Sequence, residues 1–338
     1  GGFELKAVVI DGPGSLRIVE KPLPVPGRGE ALVKIKYCGI CGSDLHAFKA
    51  GFLPPDLTIG HEFSGIVESV GADCPGWEEG VFVTGNNIIG CGKCSNCQKG
   101  LENLCLDMRR LGITDHGAMA EYALVPVKDL IKLPRGASLG EAALSEPLSV
   151  GLHAVNKVVV TVDDSILIFG AGTIGLVILA LLQLRAAKAI TVVEPDPDRR
   201  AIAKSMGALK VIDPFTGSMD SEISRLTGNR GMNVIFECAG LPETIQEACS
   251  QAAADATIMV LSICHQPVEL NFLSLVTREI KIKTAFGKTS AEFREAANLI
   301  SSGMIDLSPL VTGLIPLDKV LQTFRKHSGN MIKTLVIF

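Results

Sequence analysis

Four cysteines follow one another at the spacing C-x2-C-x2-C-x7-C, namely Cys91, Cys94, Cys97 and Cys105. Gaps of two residues let successive thiolates turn inward on one tight loop, and a fourth sulfur completes the tetrahedron that zinc prefers. Four protein ligands leave no position open for water, so the spacing predicts a structural zinc site. An iron–sulfur cluster also takes four cysteines, and a loop of free thiols is a third alternative. The ligand spacing favours zinc.

A second group of metal-compatible side chains comes from three separate segments. It comprises Cys41, the adjacent His61 and Glu62, and Glu146. Taken singly, such residues are more often core, surface or capping residues than ligands. Together they offer sulfur, nitrogen and oxygen donors, as a catalytic zinc site with an exchangeable position requires. Whether Glu62 or Glu146 is the ligand at rest stays open at this point.

Two further features of these segments predict how the donors are held. Glu146 precedes Pro147, which suits the first position of a helix, so we expect Glu146 at the helix N-cap. Asp44 follows Cys41 by three residues and could orient His61 by accepting a hydrogen bond from its ring.

A glycine-rich stretch follows an apolar run and opens another, with Gly170, Gly172 and Gly175 in the pattern G-x-G-x-x-G. The first glycine makes the turn, the second lets a pyrophosphate approach the backbone, and the third allows tight packing of the helix on the strand. Glu194 ends the next predicted strand, 19 residues after Gly175. An acidic residue there accepts hydrogen bonds from the adenosine ribose and repels a 2′-phosphate, so the pattern predicts NAD rather than NADP.

The residues around these motifs indicate two kinds of architecture. Short β-like runs separated by Gly and Pro turns fill the first 150 residues and predict a mostly antiparallel barrel or sandwich. Strands then alternate with helices, which predicts a parallel sheet covered on both faces. From about residue 286 the chain is expected to return to the first domain. The predicted strands are 6–10, 31–37, 63–70, 81–84, 165–169, 190–193, 234–237, 257–261 and 334–338, and the predicted helices are 176–184, 197–206, 291–301 and one that begins at Pro242.

Composition limits the classes of partner. Of the 338 residues, 20% are charged, and the formal net charge of −4 argues against nucleic acid or an anionic membrane, because phosphate binding needs a basic surface. The longest apolar run, 166–184, carries the glycine pattern and is interpreted as a buried strand and helix rather than a membrane span. Ten cysteines without a secretory signal predict metal sites or buried thiols in the reducing cytoplasm.

Together these motifs resemble the zinc-containing medium-chain dehydrogenase/reductase superfamily over essentially the whole chain. The resemblance is carried by GICGSDLH at 39–46, GHEFSG at 60–65, the cysteine loop, the glycine pattern and the terminal KTLVIF at 333–338. The stretch SEPLSVGLHA at 145–154 is similar to the sorbitol and butanediol dehydrogenase branch. The resemblance implies a GroES-like β-rich catalytic domain (1–149 and 287–338) and an inserted Rossmann domain with a doubly wound parallel sheet (150–286). It also implies NAD, two zinc ions per chain, an alcohol substrate, and a homodimer or homotetramer.

The resemblance further implies a mechanism. Zinc binds the alcohol oxygen and lowers its pKa, and hydride passes to the nicotinamide. Ser43 takes the hydroxyl proton and His46 releases it to solvent through the nicotinamide ribose, since an imidazole titrates near neutral pH. Without the resemblance, His46 would be interpreted as an exposed loop histidine. The remaining implied cofactor contacts are Val150, Ile174, Arg199, Ser262, Phe286 and Lys333.

The sequence departs from the polyol branch at two places. That branch typically has a Tyr directly after the histidine that matches His46, and an Arg-Tyr pair directly after the phenylalanine that matches Phe286. In this chain the matching residues are Ala47 and the pair Gly287-Lys288. Losing polar partners for substrate hydroxyls predicts a secondary alcohol, bulky or cyclic, rather than sorbitol. Lys288 is either a lone cation for an acidic substrate or a solvated side chain. His116 stands where relatives have Gly, and either caps a turn or faces the substrate.

Three functions compete on the sequence alone. The first is the zinc-dependent, NAD-linked alcohol dehydrogenase described above, with a polyol dehydrogenase as its variant. A zinc-free quinone or enoyl reductase would lack the cysteine loop and the Cys41, His61 and Glu62 set. A non-catalytic protein that kept the fold would have no reason to retain every donor together with Ser43 and His46.

Overall fold

The computed structural model describes residues 4–326 and 331–338. The chain divides into two compact units, one formed by residues 1–149 and 287–338 and the other by residues 150–286. None of the described helices is long and apolar enough to cross a membrane.

Short strands dominate the first unit, and strands alternate with helices in the second. In chain order, the strands are β1 (Glu4–Gly12), β2 (Ser15–Pro22), β3 (Glu30–Ile40), β4 (Glu62–Val70), β5 (Phe82–Gly85), β6 (Ile88–Ile89), β7 (Arg109–Arg110), β8 (Tyr122–Pro126), β9 (Leu130–Lys132), β10 (Ser165–Phe169), β11 (Ala189–Val193), β12 (Lys210–Ile212), β13 (Met232–Glu237), β14 (Ala252–Val260), β15 (Lys281–Thr284), β16 (Val311–Pro316) and β17 (Lys333–Ile337). The helices are α1 (Gly42–Ala50), α2 (Ser95–Gln98), α3 (Leu139–Ala142), α4 (Ser145–Asn156), α5 (Thr173–Leu184), α6 (Pro197–Ser205), α7 (Met219–Thr227), α8 (Pro242–Gln251), α9 (Phe272–Thr277), α10 (Ser290–Ser301) and α11 (Val320–Arg325).

The first unit is built on a largely antiparallel sheet in the order β16-β17-β3-β4-β5-β9, with β8 also paired to β3. The long central strand β3 buries Val33 and Ile35 in the main hydrophobic cluster of this unit. The C-terminal strand β17 runs antiparallel to β3, with Thr334 opposite Ile40. The C-terminal segment thus lies in the sheet of the first unit, and Lys333 lies beside the end of β3 that leads into α1.

The second unit has a six-stranded parallel sheet in the order β12-β11-β10-β13-β14-β15. Numbered from β10, this is the order 3-2-1-4-5-6 of the Rossmann fold. The central strand β10 is apolar and almost wholly buried because helices cover both faces of such a sheet. The carboxyl ends of β10, β11 and β13 meet at one edge, where the glycine pattern, Glu194 and Glu237 lie.

The start of α4 corrects one expectation. The helix begins at Ser145, so Glu146 lies inside its first turn instead of at the N-cap. Pro147 is tolerated there because the amide hydrogens of the first turn have no partner within the helix. The helix thus begins two residues earlier than expected, and Glu146 is a side chain of its first turn instead of a capping group.

Candidate metal centre and nucleotide-binding site

The three donors Cys41, His61 and Glu62 come together in the first unit. Their ligand atoms all lie within 4.8 Å of one another. Cys41 immediately precedes α1, and its amide N–H donates to Asp44 Oδ2 at 3.0 Å, which fixes the turn. Glu62 opens β4 opposite Gly39 of β3, where a Cβ atom would lie 2.2 Å from Glu62 Oε2. Glycine at position 39 therefore leaves the space that the carboxylate occupies.

His61 is almost fully buried and oriented by its neighbours. Its Nδ1 lies 3.6 Å from Asp44 Oδ1, and its Nε2 lies 3.5 Å from Ser43 Oγ. Burial lowers the pKa of His61, but the carboxylate of Asp44 and then Cys41 outweigh it and raise the pKa to about 10. This excess of negative charge around the ring is what a divalent cation would neutralise. The buried S, N and O donor set therefore fits zinc.

Glu146 lies close to this group but has another partner. Its Oε1 accepts from the ammonium of Lys288 at 2.5 Å, and the same ammonium donates to Asn87 Oδ1. Burial acts to raise the pKa of Glu146, but Lys288, followed by His61, holds it below its usual value. Within the described chain, Glu146 does not join the three-donor group. The expectation of a solvated Lys288 is wrong, because the side chain is 0% exposed and is a counter-ion of Glu146. The alternative, a cation for an acidic substrate, stays a prediction.

Lys333 is similarly enclosed. Its ammonium donates to Glu62 Oε1 and Oε2 at 2.7 and 2.6 Å, and to the carbonyl of Ile40 at 3.1 Å. Burial lowers the pKa of Lys333, but the carboxylate of Glu62 raises it above its usual value. The expected contact of Lys333 with a pyrophosphate stays a prediction. The contacts in the structure instead make the lysine a counter-ion of the metal centre, because β17 pairs with β3 next to Glu62.

Ser43 and His46 lie on α1 directly after Cys41. They stand at positions i and i+3, which places both side chains on one face of the helix. Ser43 Oγ reaches His61 Nε2, whereas His46 is exposed and its ring lies 5.8 Å from that of Phe52. The helix therefore connects the buried donors to a solvent-facing imidazole.

The four cysteines of the loop converge as their spacing predicted. Their sulfur atoms all lie within 4.8 Å of one another. Backbone N–H groups point at the sulfurs, as in Cys94 N to Cys91 Sγ at 3.4 Å and Cys91 N to Cys105 Sγ at 3.3 Å. The N–H groups of Cys97 and Leu106 lower the pKa of Cys94 to about 6. A thiolate is the form that binds metal, so this loop fits a tetrahedral four-sulfur zinc site.

The glycine pattern in the second unit has the geometry of a phosphate-binding turn. Gly170 has a φ of +93°, which favours glycine. Gly172 directly precedes α5, and a Cβ at Gly175 would lie 1.9 Å from the carbonyl oxygen of Gly170. The N-terminus of α5 thus lies beside a glycine-rich turn, an arrangement that suits a pyrophosphate.

Glu194 lies at this turn. Its Oε2 accepts from Ala171 N at 2.7 Å and its Oε1 from Asp196 N at 2.9 Å. Arg200 is committed elsewhere, because it donates to the carbonyl of Glu194 at 2.8 Å and pairs with Asp213 at 3.1 Å. Arg199 Nη1 would lie 3.9 Å from a Cβ at Gly172, next to the phosphate turn.

The other expected cofactor residues lie in different parts of the second unit. Val150 is on α4 and Ile174 is in the first turn of α5, and both are partly buried. Phe286 is 47% exposed after β15. Ser262 follows β14 and donates its hydroxyl to Glu237 Oε2.

The apolar residues at the end of α1 and directly after it divide between core and surface. Phe48 and Leu53 are buried in the main cluster of the first unit, whereas Phe52 is 58% exposed. Ala47 is also buried. His116 Nδ1 accepts from Thr58 N at 3.1 Å, which is the contact of a turn cap.

Sequence reasoning missed Asn87 and Glu237. Asn87 directly precedes β6 and accepts from Lys288, and no local pattern announces this contact. Glu237 is 0% exposed and also accepts from Ala239 N and Gly240 N, both at 2.9 Å. Glu237 could have been predicted from the sequence, because it is an acidic residue at the end of strand β13, at the same edge of the sheet as Glu194.

A β-rich unit with two metal-compatible clusters and a Rossmann unit with a phosphate turn define the class of zinc-dependent dehydrogenases. The sequence model of the alcohol dehydrogenase GroES-like domain matches residues 27–135, and that of the zinc-binding dehydrogenase domain matches residues 173–302. L-idonate 5-dehydrogenase of Vitis vinifera is 33% identical over 99% of this chain and 95% of its own.

Solved structures agree with these matches. A zinc-binding dehydrogenase of Sinorhizobium meliloti 1021 bound to NADP has a TM-score of 0.94 and 31% identity, covering 99% of this chain and 100% of its own. An alcohol dehydrogenase (rspB) of Escherichia coli CFT073 complexed with NADH has a TM-score of 0.93 and 28% identity, covering 100% of both chains. The chain belongs to the zinc-containing alcohol dehydrogenase family, whose members are oxidoreductases that use a nicotinamide nucleotide.

Proposed function

We propose that this protein oxidises a secondary alcohol to a ketone, with NAD as hydride acceptor and two zinc ions per chain. The observation that supports this most directly is the group of Cys41, His61 and Glu62, in which His61 and Glu62 are buried and Cys41 partly buried, and whose donor atoms lie within 4.8 Å of one another beside Ser43. Cys91, Cys94, Cys97 and Cys105 would hold the second, structural zinc.

Zinc at the first group would polarise the substrate hydroxyl, and bound NAD would accept the hydride. Residues of the chain would transfer the proton of the substrate hydroxyl to solvent. Ser43 Oγ accepts the hydroxyl proton while its own proton passes toward His46 on the same helical face, and the exposed imidazole releases it to solvent. The alcohol thus loses one hydride and one proton, which balances the conversion to a ketone.

Glu194 supports NAD as the preferred nucleotide. Its buried carboxylate is fixed at the phosphate turn by two backbone N–H groups and cannot move away without losing both. A 2′-phosphate would meet this negative charge. Among the two similar structures, one holds NADP and the other NADH, so relatives alone do not decide the preference.

For the substrate, Ala47 and Gly287 bring no polar groups, and the ammonium of Lys288 is committed to Glu146 and Asn87. These contacts support a secondary alcohol without many hydroxyls. The second candidate is a polyol or sugar acid, which the similarity to L-idonate 5-dehydrogenase favours. A homodimer or homotetramer and a cytoplasmic location stay predictions.

A screen of purified, zinc-loaded protein tests the proposal. We expect NAD reduction with cyclic and branched secondary alcohols or diols, at a kcat/KM above that for sorbitol, xylitol and L-idonate. If the kcat/KM for sorbitol, xylitol or L-idonate exceeded that for the secondary alcohols and diols by about 100-fold, equivalent to about 2.7 kcal/mol, the second candidate would be established. No NAD(P) reduction with any alcohol would exclude both.

A further inference from the structure

Each carboxylate of the metal centre has its own buried lysine, but the two lysines are held differently. Lys333 donates to both oxygens of Glu62. Lys288 contacts only Oε1 of Glu146, and Asn87 provides its second acceptor. Glu62 belongs to the three-donor group despite its lysine, whereas Glu146 does not. The difference indicates that Lys288 governs whether Glu146 can reach the metal.

We propose that Lys288 is a positioning residue that holds Glu146 away from the metal, so that the Cys41, His61 and Glu62 centre keeps one coordination position for the substrate hydroxyl. This inference rests on the proposed function, from which it takes the metal. It assigns the resting ligand set and explains why a fully buried lysine stands in this segment.

The backbone around Lys288 is fixed well enough for this role. Gly287 has a φ of +59°, and a Cβ there would lie 2.8 Å from Ile88 Cδ1 of β6. Thr289 caps α10, and Ser290 N donates to Glu102 Oε2 at 3.4 Å. The lysine therefore enters the site from a segment held on both sides.

The surroundings of the ammonium also fix its position. Asn87 holds it from the residue before β6, and the ring centroid of Phe293 lies 5.9 Å away. With 0% of the side chain exposed, water cannot replace Glu146 as a partner. Releasing Glu146 would leave the ammonium without a carboxylate in a buried site, which is strongly unfavourable. Glu146 is therefore retained.

Without the lysine, two effects would both raise the affinity of the site for metal. Glu146 is itself 7% exposed, and against the effect of burial its pKa is lowered first by Lys288 and then by His61, so its carboxylate belongs to the same buried group of charges as the donors. A released carboxylate would become a fourth protein ligand, and the loss of one positive charge would further favour a cation. Four protein ligands close a zinc site, as in structural centres, and leave no place for substrate.

The test compares Lys288→Met with wild type and with Lys319→Met, which removes an exposed lysine of the same unit. Metal affinity is measured by competition with a chelator, on protein whose catalytic site holds Zn²⁺ or Co²⁺. We expect Lys288→Met to bind metal about tenfold or more tighter while kcat falls about tenfold or more. Imidazole should shift the visible spectrum of the cobalt protein in wild type and in Lys319→Met, but not in Lys288→Met.

Glu146→Gln provides the second arm and covers the case in which Lys288→Met does not fold. Because Glu146 is not a resting ligand, Glu146→Gln should keep wild-type metal affinity within about threefold. Adding Lys288→Met to it should raise affinity less than Lys288→Met alone raises that of the wild type, because only the lost positive charge then acts. Metal affinity that falls together with kcat in Lys288→Met, or falls about tenfold in Glu146→Gln, would overturn the proposal. Failure of the proposed function would be seen separately, as wild-type protein that reduces no NAD(P) with any alcohol and as a Cys41→Ser variant that contains as much metal as the wild type.

Discussion

At the scale of single residues, the buried lysines are the feature that most needs a functional explanation. Removing an ammonium and a carboxylate from water costs more than their attraction commonly returns, and apolar residues of similar size often stabilise a protein more. Lys288 is 0% and Lys333 2% exposed. Both pairs adjoin the Cys41, His61 and Glu62 group, so their charges are better explained by the metal centre than by stability.

Glu194 carries a prediction about nucleotide choice. In Glu194→Ser, the repulsion of a 2′-phosphate disappears, so the ratio of kcat/KM for NAD to that for NADP should fall about 10- to 100-fold. KM should also rise for both nucleotides, because Ala171 N and Asp196 N lose their acceptor. The measurement is initial-rate kinetics with each nucleotide, and Glu243→Ser, an exposed position on α8, is the control. A wild type that prefers NADP would contradict the assignment.

Asp129 carries a prediction about pH. Burial raises the pKa of this carboxyl to about 6, and its Oδ2 has no hydrogen-bond partner among the described residues. Because the folded pKa exceeds the unfolded value, the stabilisation is fully present below about pH 4 and is lost as pH rises through about 6. Asp129→Asn should therefore stabilise the protein at pH 8, by at most about 3 kcal/mol, and have little effect at pH 4. Thermal unfolding at both pH values tests this, and an equal change at both would contradict it.

At the scale of elements, local patterns predicted most of the second unit. Strand β10 and helix α6 have continuous or periodic apolar residues bounded by turn signals, and the structure confirms them within one residue. The Cys91 to Cys105 loop was predictable for the same reason, because its four ligands lie within 15 residues of one another. The start of helix α4 was predicted two residues too late, because proline is compatible with several positions of a first turn.

Contacts between distant segments could not be predicted in this way. Glu146 and Lys288 are separated by 142 residues, and Glu62 and Lys333 by 271. Periodicity reports which face of an element is buried, but it carries no information about the partner that a buried charge will meet. Lys288 was therefore interpreted as solvated or as a substrate-binding cation, which is the ordinary expectation for a lysine.

At the scale of the whole molecule, the first unit combines two metal-compatible clusters, one that would be closed by four protein ligands and one that would keep a position open for substrate. The loop of Cys91, Cys94, Cys97 and Cys105 offers four sulfurs and no open position, so its metal would contribute to folding. In the other group, Cys41 lies between β3 and α1, while His61 directly precedes β4 and Glu62 is its first residue. Those strands are held by their own pairing and core, so we expect the fold not to depend on a metal at this group.

Single substitutions of one ligand in each cluster should separate these roles. Wild-type protein is expected to contain two zinc ions per chain by elemental analysis, and each variant one. Cys97→Ser should lower the melting temperature by about 10 °C or more, because losing a structural zinc removes folding free energy. Cys41→Ser should leave the melting temperature within about 3 °C of wild type while kcat falls about a thousandfold or more, since the centre loses the thiolate that holds its metal. Cys74→Ser, outside both clusters, is the matched control. The assignment of roles would be wrong if Cys41→Ser unfolded the protein while Cys97→Ser kept the wild-type melting temperature and lost turnover.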